Sequence, residues 1–318
     1  MQNFFGKKKI QHRVAQALLC VSVFNFGICI TPQTVKSNAG IINLNIAKAE
    51  TKVPRKGDIV KLSDLNVGDI FKASDIEWMV AAKNHEGYPA NSVTVISQDI
   101  LEKRAFDKHI GKFGSNHWGN SDLRKYLNGE FYNKLDASFR AAILETNLEN
   151  IENEANDTCY NSYGAPGYND KTYYTKDKIF IPSLEELGLK NINCARPVGT
   201  DYGTFTTNKS RRAKLNGKNY WYWTRDPYWS CSYDMCGIDS NGSYNNYLVA
   251  YSTSWGVRPV LNLKSDILLE YTGKDNLVYN GIAQNKINIL PDTIKAKAIY
   301  QTQLDRLELP IAKIVWPF

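Results

Sequence analysis

YWYWTRDP, from Tyr220 to Pro227, and GVRPVLNL, from Gly256 to Leu263, are the two stretches whose reading decides the fold. Both are dense in aromatic and β-branched residues, the side chains that pack best on a pleated surface, so each is expected to be a strand. Between them, Asp226 to Ser254 spans 29 residues, of which 17 are Tyr, Ser, Asn, Gly or Trp. Rigid amphipathic rings supply contact area at small entropic cost, and small polar residues supply adaptable hydrogen bonds, so this is contact material rather than core material. Within it, Asp239-Ser-Asn-Gly-Ser243 sets Asn-Gly between two alternating runs, a hairpin signal because both residues tolerate positive φ. The two bracketing strands are expected to share one sheet and to frame an exposed hairpin.

Outward from this bracket, Trp78 to Ala82 and Val93 to Ser97 read as strands. Asn120 or Ser121 caps a helix carrying Leu123, Tyr126 and Leu127 on one face and ending at Asn128-Gly129. A second helix is expected over 138–147, with Phe139, Ala142 and Ile143 inward. Residues 150–175 read as a long polar loop, and Lys178 to Pro182 as a strand. Ser183 and Glu186 then form a capping box on a short helix that stops at Gly188. After Glu270 the pattern weakens into short apolar pieces, taken as a small β appendage over 269–318.

The 318 residues carry a formal charge of +7, but the charge is unevenly placed. Residues 1–49 hold six of the 39 Lys and Arg and no acid, which leaves 33 basic against 32 acidic residues in the remainder. A body of net +1 has no electrostatic footprint for nucleic acid. The first 49 residues read as an export signal: Lys7 to Lys9, then an apolar run of 17 residues from Val14 to Ile30, then two small-residue sites, Ser37-Asn-Ala39 and Ala47-Lys-Ala49, of which the second is the expected cleavage site. The run is shorter than the roughly 20 residues a spanning helix needs, and an uncleaved N-terminal anchor is the alternative. The expected organisation is signal 1–49, linker 50–58, main domain 59–268 and appendage 269–318. Location is expected to be secreted or cell envelope. Cys159, Cys194, Cys231 and Cys236 make an even count, compatible with two bridges of undetermined connectivity or with free thiols.

EWMVAAKN, VTVISQDILEKRAFD, NSDLRKYLNGEFY, TKDKIFIPSLEE, YWYWTRDP and GVRPVL follow one another in that order. The series resembles an uncharacterised family of secreted or surface bacterial domains with S-x-LR-x-WLN, DKVFLLS and YWLRSP…GVRPAL motifs, over roughly residues 68–263. That family is similar to C-type-lectin-like proteins, and in its closing segment to formylglycine-generating enzymes and to retroelement variable receptors. The resemblance implies an α+β domain with two helices against a twisted antiparallel sheet. Trp223-Thr-Arg225-Asp-Pro227 in place of LRSP, and the cysteines at 231 and 236, are departures from it.

Tyr228, Trp229, Tyr233, Asn241, Tyr244, Asn246 and Tyr247 are the candidate ligand-binding residues, with Trp229, Tyr233 and Tyr244 expected to carry most of the energy as exposed aromatics. The plain alternative is a solvated hairpin whose tyrosines pack cross-strand. Trp78, Leu123, Arg124, Trp221, Arg225, Gly256 and Arg258 are assigned to the skeleton. Arginines beside a proline at a sheet edge commonly lock buried turns through several hydrogen bonds. Cys231 and Cys236 match the separation of the copper(I)-binding cysteines of formylglycine-generating enzymes, where soft thiolates hold the metal. Residues five apart on a straight strand face opposite sides, however, so joint ligation needs a bend. His85, His109 and His117 lack metal-ligand spacing and read as solvated loop histidines, and no P-loop, nucleophile elbow or dinucleotide fingerprint occurs. The expectation is a non-catalytic module recognising a glycan or surface protein. The alternative is a copper-dependent oxidase. No cofactor, resident metal or nucleic acid is assigned, and a membrane only if the N-terminal segment stays uncleaved.

Overall fold

The fold is described here from a computed structural model, covering residues 56–110, 112–151, 171–190, 198–229, 231–273, 276–279 and 281. The expected signal at 1–49, most of the 50–58 linker, Cys159, Cys194, loop residues 152–170 and the appendage beyond 281 lie outside the described residues.

Numbered along the chain, the larger sheet has eight strands. They run in the order β1 (Ile59–Lys61), β16 (Leu268–Gly273), β17 (Asn276–Val278), β2 (Ile70–Ala73), β3 (Ile76–Lys83), β4 (Ser92–Ser97), β15 (Val260–Lys264) and β6 (Ile143–Leu144). The smaller sheet has five: β13 (Tyr244–Val249), β12 (Asp234–Ile238), β11 (Tyr222–Pro227), β14 (Gly256–Val257) and β5 (Glu102–Lys103). Two ribbons complete the set, β7 (Thr146–Ile151) with β8 (Thr172–Asp177) and β9 (Ala213–Leu215) with β10 (Lys218–Tyr220). Short helical segments accompany these strands, so the class is α+β, weighted toward β.

The β-branched run at 92–97 becomes β4, buried at every residue, and β11 and β12 are likewise buried throughout. Strands covered on both faces must satisfy their polar side chains internally. Thr94 donates to Asn262 Oδ1 at 2.6 Å, and Thr224 donates to the Cys236 carbonyl at 3.0 Å. Trp78, fully buried, gives its indole N–H to Ala73 O at 3.2 Å and packs on Phe139.

The closing strand departs from expectation. Gly256–Val257 pairs with β11, but the chain bends at Arg258-Pro259 and Val260–Lys264 joins the larger sheet between β4 and β6. Residues 257–263 are therefore not one strand sharing a sheet with 220–225. Proline cannot donate to a central ladder, which makes this the natural point to change sheets. Arg258 locks the crossing: Nε donates to Ser97 O at 3.0 Å, and the two terminal nitrogens reach Arg211 O, Gln98 O and Tyr222 Oη at 3.3–3.4 Å. Gly256 is required there, since a Cβ would sit 2.6 Å from Ile100 Cγ2 and 2.7 Å from Trp221 O. The bracketing strand is also interrupted at Trp221, dividing β10 from β11.

The helices are shorter or longer than their patterns suggest. Ser121 caps as expected, its Oγ accepting the Arg124 amide at 3.1 Å, with Leu123 buried beneath. Asn128-Gly129 does not end the helix. Asn128 spends its amide on the carbonyls of Arg124 and Ile179 and on the N–H groups of Lys178 and Ile179, and a wide turn carries the helix to Lys134. Burial of Leu127 and Phe131 favours that continuation. The second helix stops at Ala142, because Ile143 pairs with Leu263 in β6 instead. Lys178 to Pro182 forms no regular strand, meeting the larger sheet through the Phe180–Val260 bridge and β11 through the Arg225 amide, which donates to Pro182 O at 3.1 Å. The Ser183–Glu186 box does form, with both reciprocal bonds at 2.9 and 3.1 Å, on a turn rather than a full helix. Residues 172–175, read as loop, belong to β8.

The described part of the expected appendage is no appendage. β16 and β17 pair with β1 and β2, and Leu268 and Leu269 are buried, so this segment closes the edge of the main sheet.

Candidate functional site

Two hairpins hang on β12. The β11–β12 connection, 228–233, lies at one end, and the Asp239–Ser243 connection lies at the other. In the latter, Gly242 alone adopts positive φ (84°), while Asp239 Oδ1 accepts the amides of Asn241 and Ser243. The hairpin expected from Asn-Gly therefore exists, with a five-residue loop in place of a tight two-residue turn.

This arrangement separates the candidate ligand-binding residues. Asn241 is exposed at the far end, its carbonyl taken by Arg212 at 3.0 Å. Tyr244 and Asn246 are half-buried along β13, which also carries Tyr247. Tyr228 and Trp229 are 3% and 9% exposed and belong to the main core, so their assignment to a ligand-binding surface, and that of Trp229 as an exposed anchor, is corrected. The cause is local. The β11–β12 ladder shifts register between Trp223 and Pro227, and the following turn folds inward over buried Asn116, whose amide donates to the carbonyls of Cys231 (2.7 Å) and Asp234 (2.9 Å). Tyr233 remains half-buried, its ring 4.9 Å from Phe113.

The skeletal assignments fare better. Arg225, 2% exposed, makes a bidentate pair with fully buried Glu186, at 2.6 and 2.5 Å. Tyr88 and Tyr202 donate to the same carboxylate at 2.5 and 2.9 Å. Burial pushes the Glu186 carboxyl up, but Arg225 and the hydrogen bonds outweigh it and hold it below the usual glutamate range. Arg124 pairs with buried Asp177 at 2.6 Å. Trp221 is only half-buried and packs on Trp255, with ring centroids 4.8 Å apart.

Cys231 and Cys236 are both disulfide-bonded, so neither offers the thiolate that a copper ion would need. Among the described residues no group of three His, Cys, Asp or Glu side chains is placed to hold a metal. Two of the three histidines differ from expectation. His85 is buried against Tyr88 and Tyr202 with Nε2 2.8 Å from Thr200 O, and His117 stacks on Tyr173. His109 is exposed, and its Nδ1 lies 2.5 Å from Asp122 Oδ2.

The open surface lies at the 228–233 end of the hairpins. There the 249–255 return runs beside the 101–113 loop, joined by backbone bonds from Leu101 to Val257, Arg104 to Trp255, Phe106 and Asp107 to Ala250, and Tyr251 to Phe113. A groove of about 680 Å³ is lined by Lys108, Lys112, Val249, Trp255 and the 251–254 turn. A second hollow of about 340 Å³ shares Lys108 and Thr253 with it and adds Lys103, Arg104, His109 and Asp122. Tyr251, 48% exposed, lines the groove with its ring 6.0 Å from Phe113.

The loop bearing these cations is built by its two acids. Asp107 accepts the amides of Ile110, Ser115 and Asp122, and Asp122 accepts the Lys108 amide and faces His109. Burial raises the Asp107 carboxyl; for Asp122, burial is outweighed by the Lys108 amide and by His109, which together lower it. Lys103, Lys108 and Lys112 are exposed, and Asp122 keeps its negative charge beside them in the smaller hollow. Arg104 lies over the Tyr126 ring at 3.4 Å and reaches Glu102 at 3.4 Å. Sequence reasoning missed this wall. The signal was KRAFDKHIGK, 103–112, with four Lys or Arg against one Asp inside a near-neutral body.

No helix among the described residues is long and apolar enough to cross a membrane. No curated protein and no solved structure matches the chain. A family model described as a domain of unknown function, DUF6273, matches residues 91–265, from the start of β4 to the end of β15 and including both walls of the groove. That is more than half of the 318 residues, and the chain belongs to the DUF6273 family.

Proposed function

We propose that this protein is a secreted or cell-surface recognition module that binds a glycan or protein ligand, without catalysis, in the groove between the 103–112 loop and the 249–255 return. The observation that carries the reading is that groove. Its wall is the end of the Tyr/Ser/Asn-rich segment, and it presents an exposed tyrosine, a half-buried tryptophan and three hydroxyl side chains on a loop pinned to rigid sheets. Such a surface combines low-entropy aromatic area with adaptable hydrogen bonding, as recognition sites do. The C-type-lectin-like resemblance supports the same role, since loops on an antiparallel scaffold are where that architecture would place binding; the sheet change at Arg258-Pro259 is this chain's departure from it. The N-terminal signal-like sequence supports export.

The test is an array of glycans and surface proteins probed with the purified protein and with Tyr251→Ala. Truncating a central aromatic costs about 2 kcal/mol, so the variant should lose roughly thirtyfold in affinity while keeping its melting temperature. Retention of no ligand by the wild type, or equal binding by the variant, would overturn the proposal.

A further inference from the structure

Resting on that reading, we propose that the ligand of the groove is an anionic polysaccharide, a chain of carboxylated or sulfated sugars. The charge is local. The body as a whole is near neutral, yet Lys103, Arg104, Lys108 and Lys112 line two hollows that meet at Lys108 and Thr253. In the smaller hollow Asp122 offsets part of this charge and Glu102 faces Arg104, but among the described residues no carboxylate lines the larger groove with Lys108 and Lys112. Cations that outnumber the acids along a cleft raise the local concentration of an anionic ligand.

The shape and the remaining side chains choose among polyanions. The two hollows share Lys108 and Thr253, which suits a polymer lying across both rather than a small enclosed molecule. The larger groove is also lined by the exposed Tyr251, by Trp255 and by Ser252, Thr253 and Ser254. The flat C–H face of a sugar packs on such rings while its hydroxyls bond to the serines and threonine. An acidic peptide has no equivalent flat apolar face. A nucleic-acid strand carries one charge about every 3.4 Å and draws on broad positive potential, which a body of net +1 does not supply. Two lysines sharing a groove with two aromatic side chains suit the sparser charge of an acidic glycan.

The experiment titrates the purified protein with polygalacturonate, chondroitin sulfate, dextran, poly-glutamate and a single-stranded oligonucleotide, at low and at physiological salt. The acidic polysaccharides should bind, more weakly as salt rises, and dextran should not. The Lys108→Ala/Lys112→Ala double variant should lose about tenfold, the sum of two exposed charge contacts. Tyr251→Ala should weaken polysaccharide binding and leave any poly-glutamate binding unchanged. Melting temperatures of the variants should match the wild type. Equal binding of dextran, an unaffected double variant, or poly-glutamate or oligonucleotide binding as tight as the acidic glycans would overturn the inference. If a neutral glycan or a protein binds and responds only to Tyr251→Ala, this inference fails and the recognition role stands. If nothing binds here or on the array, both fail.

Discussion

Removing Arg225 should expose how much of the fold rests on one buried ion pair. Glu186 is fully buried and receives five hydrogen bonds: two from Arg225, one each from Tyr88 and Tyr202, and one from the Ser183 amide. Through it, the 183–188 turn is bound to β11, and the His85–Tyr88 turn to both. Arg225→Met keeps most of the side-chain volume but leaves a buried carboxylate without its counter-charge, which costs about 3–5 kcal/mol. Glu186→Leu strands a buried guanidinium and should cost a similar amount. The double variant removes both charges and leaves the tyrosine hydroxyls, the Ser183 amide and the Ile181 carbonyl without these partners, so its cost should fall short of the sum by about 2 kcal/mol or more. Urea unfolding followed by tryptophan fluorescence reads these values from midpoints at constant slope. The folded Glu186 lies below its ordinary range, so the pair contributes above the ordinary glutamate pKa and loses its contribution as pH falls through the folded value. The gap between wild type and Arg225→Met should therefore narrow in acid. Single variants costing under about 1 kcal/mol, or strictly additive costs, would refute the reasoning.

Asp234→Asn should stabilise the protein near neutral pH. The Asp234 carboxyl is 5% exposed and burial raises it to about 6, so between roughly pH 4 and 6 the native state holds a proton that the unfolded chain releases, and stability falls as pH rises through that window. Asparagine avoids the loss, and the variant should gain up to roughly 3 kcal/mol at pH 7.5 and nothing at pH 4, measured by urea midpoints at each pH. A loss at pH 7.5 would contradict this. Trp229→Ala should cost about 3 kcal/mol or more through the cavity left in the core, whereas Tyr251→Ala should stay within about 0.5 kcal/mol of wild type. Thermal unfolding of the two variants separates them, and the reverse order would return Trp229 to the surface.

The elements legible in the sequence were those whose local chemistry and burial agree. Trp78 to Ala82 and Val93 to Ser97 announce strands by composition, and Ser183 and Glu186 announce a capping box that forms with both bonds. Arg225 and Arg258, beside or one residue from proline, were readable as buried locks because so many donors in so stiff a stretch need carbonyls or a carboxylate nearby. What escaped depended on distant partners. Asn128-Gly129 looked like a stop signal until the Asn128 amide found the 178–179 backbone. Trp229 looked like an exposed anchor because composition does not reveal a register shift, nor that Asn116 draws the 231–234 turn inward. The groove's second wall lies over a hundred residues before the hairpin, so only the fold brings Lys108 beside Thr253.

The central claim is that ligand is bound between the 103–112 loop and the 249–255 return. Amide hydrogen exchange, with and without a saturating ligand taken from the array, tests it most directly. Slowed exchange confined to peptides covering 103–112 and 249–255 is the predicted result. Protection centred on the Asp239–Ser243 turn or on the larger sheet, with those two segments unchanged, would contradict it.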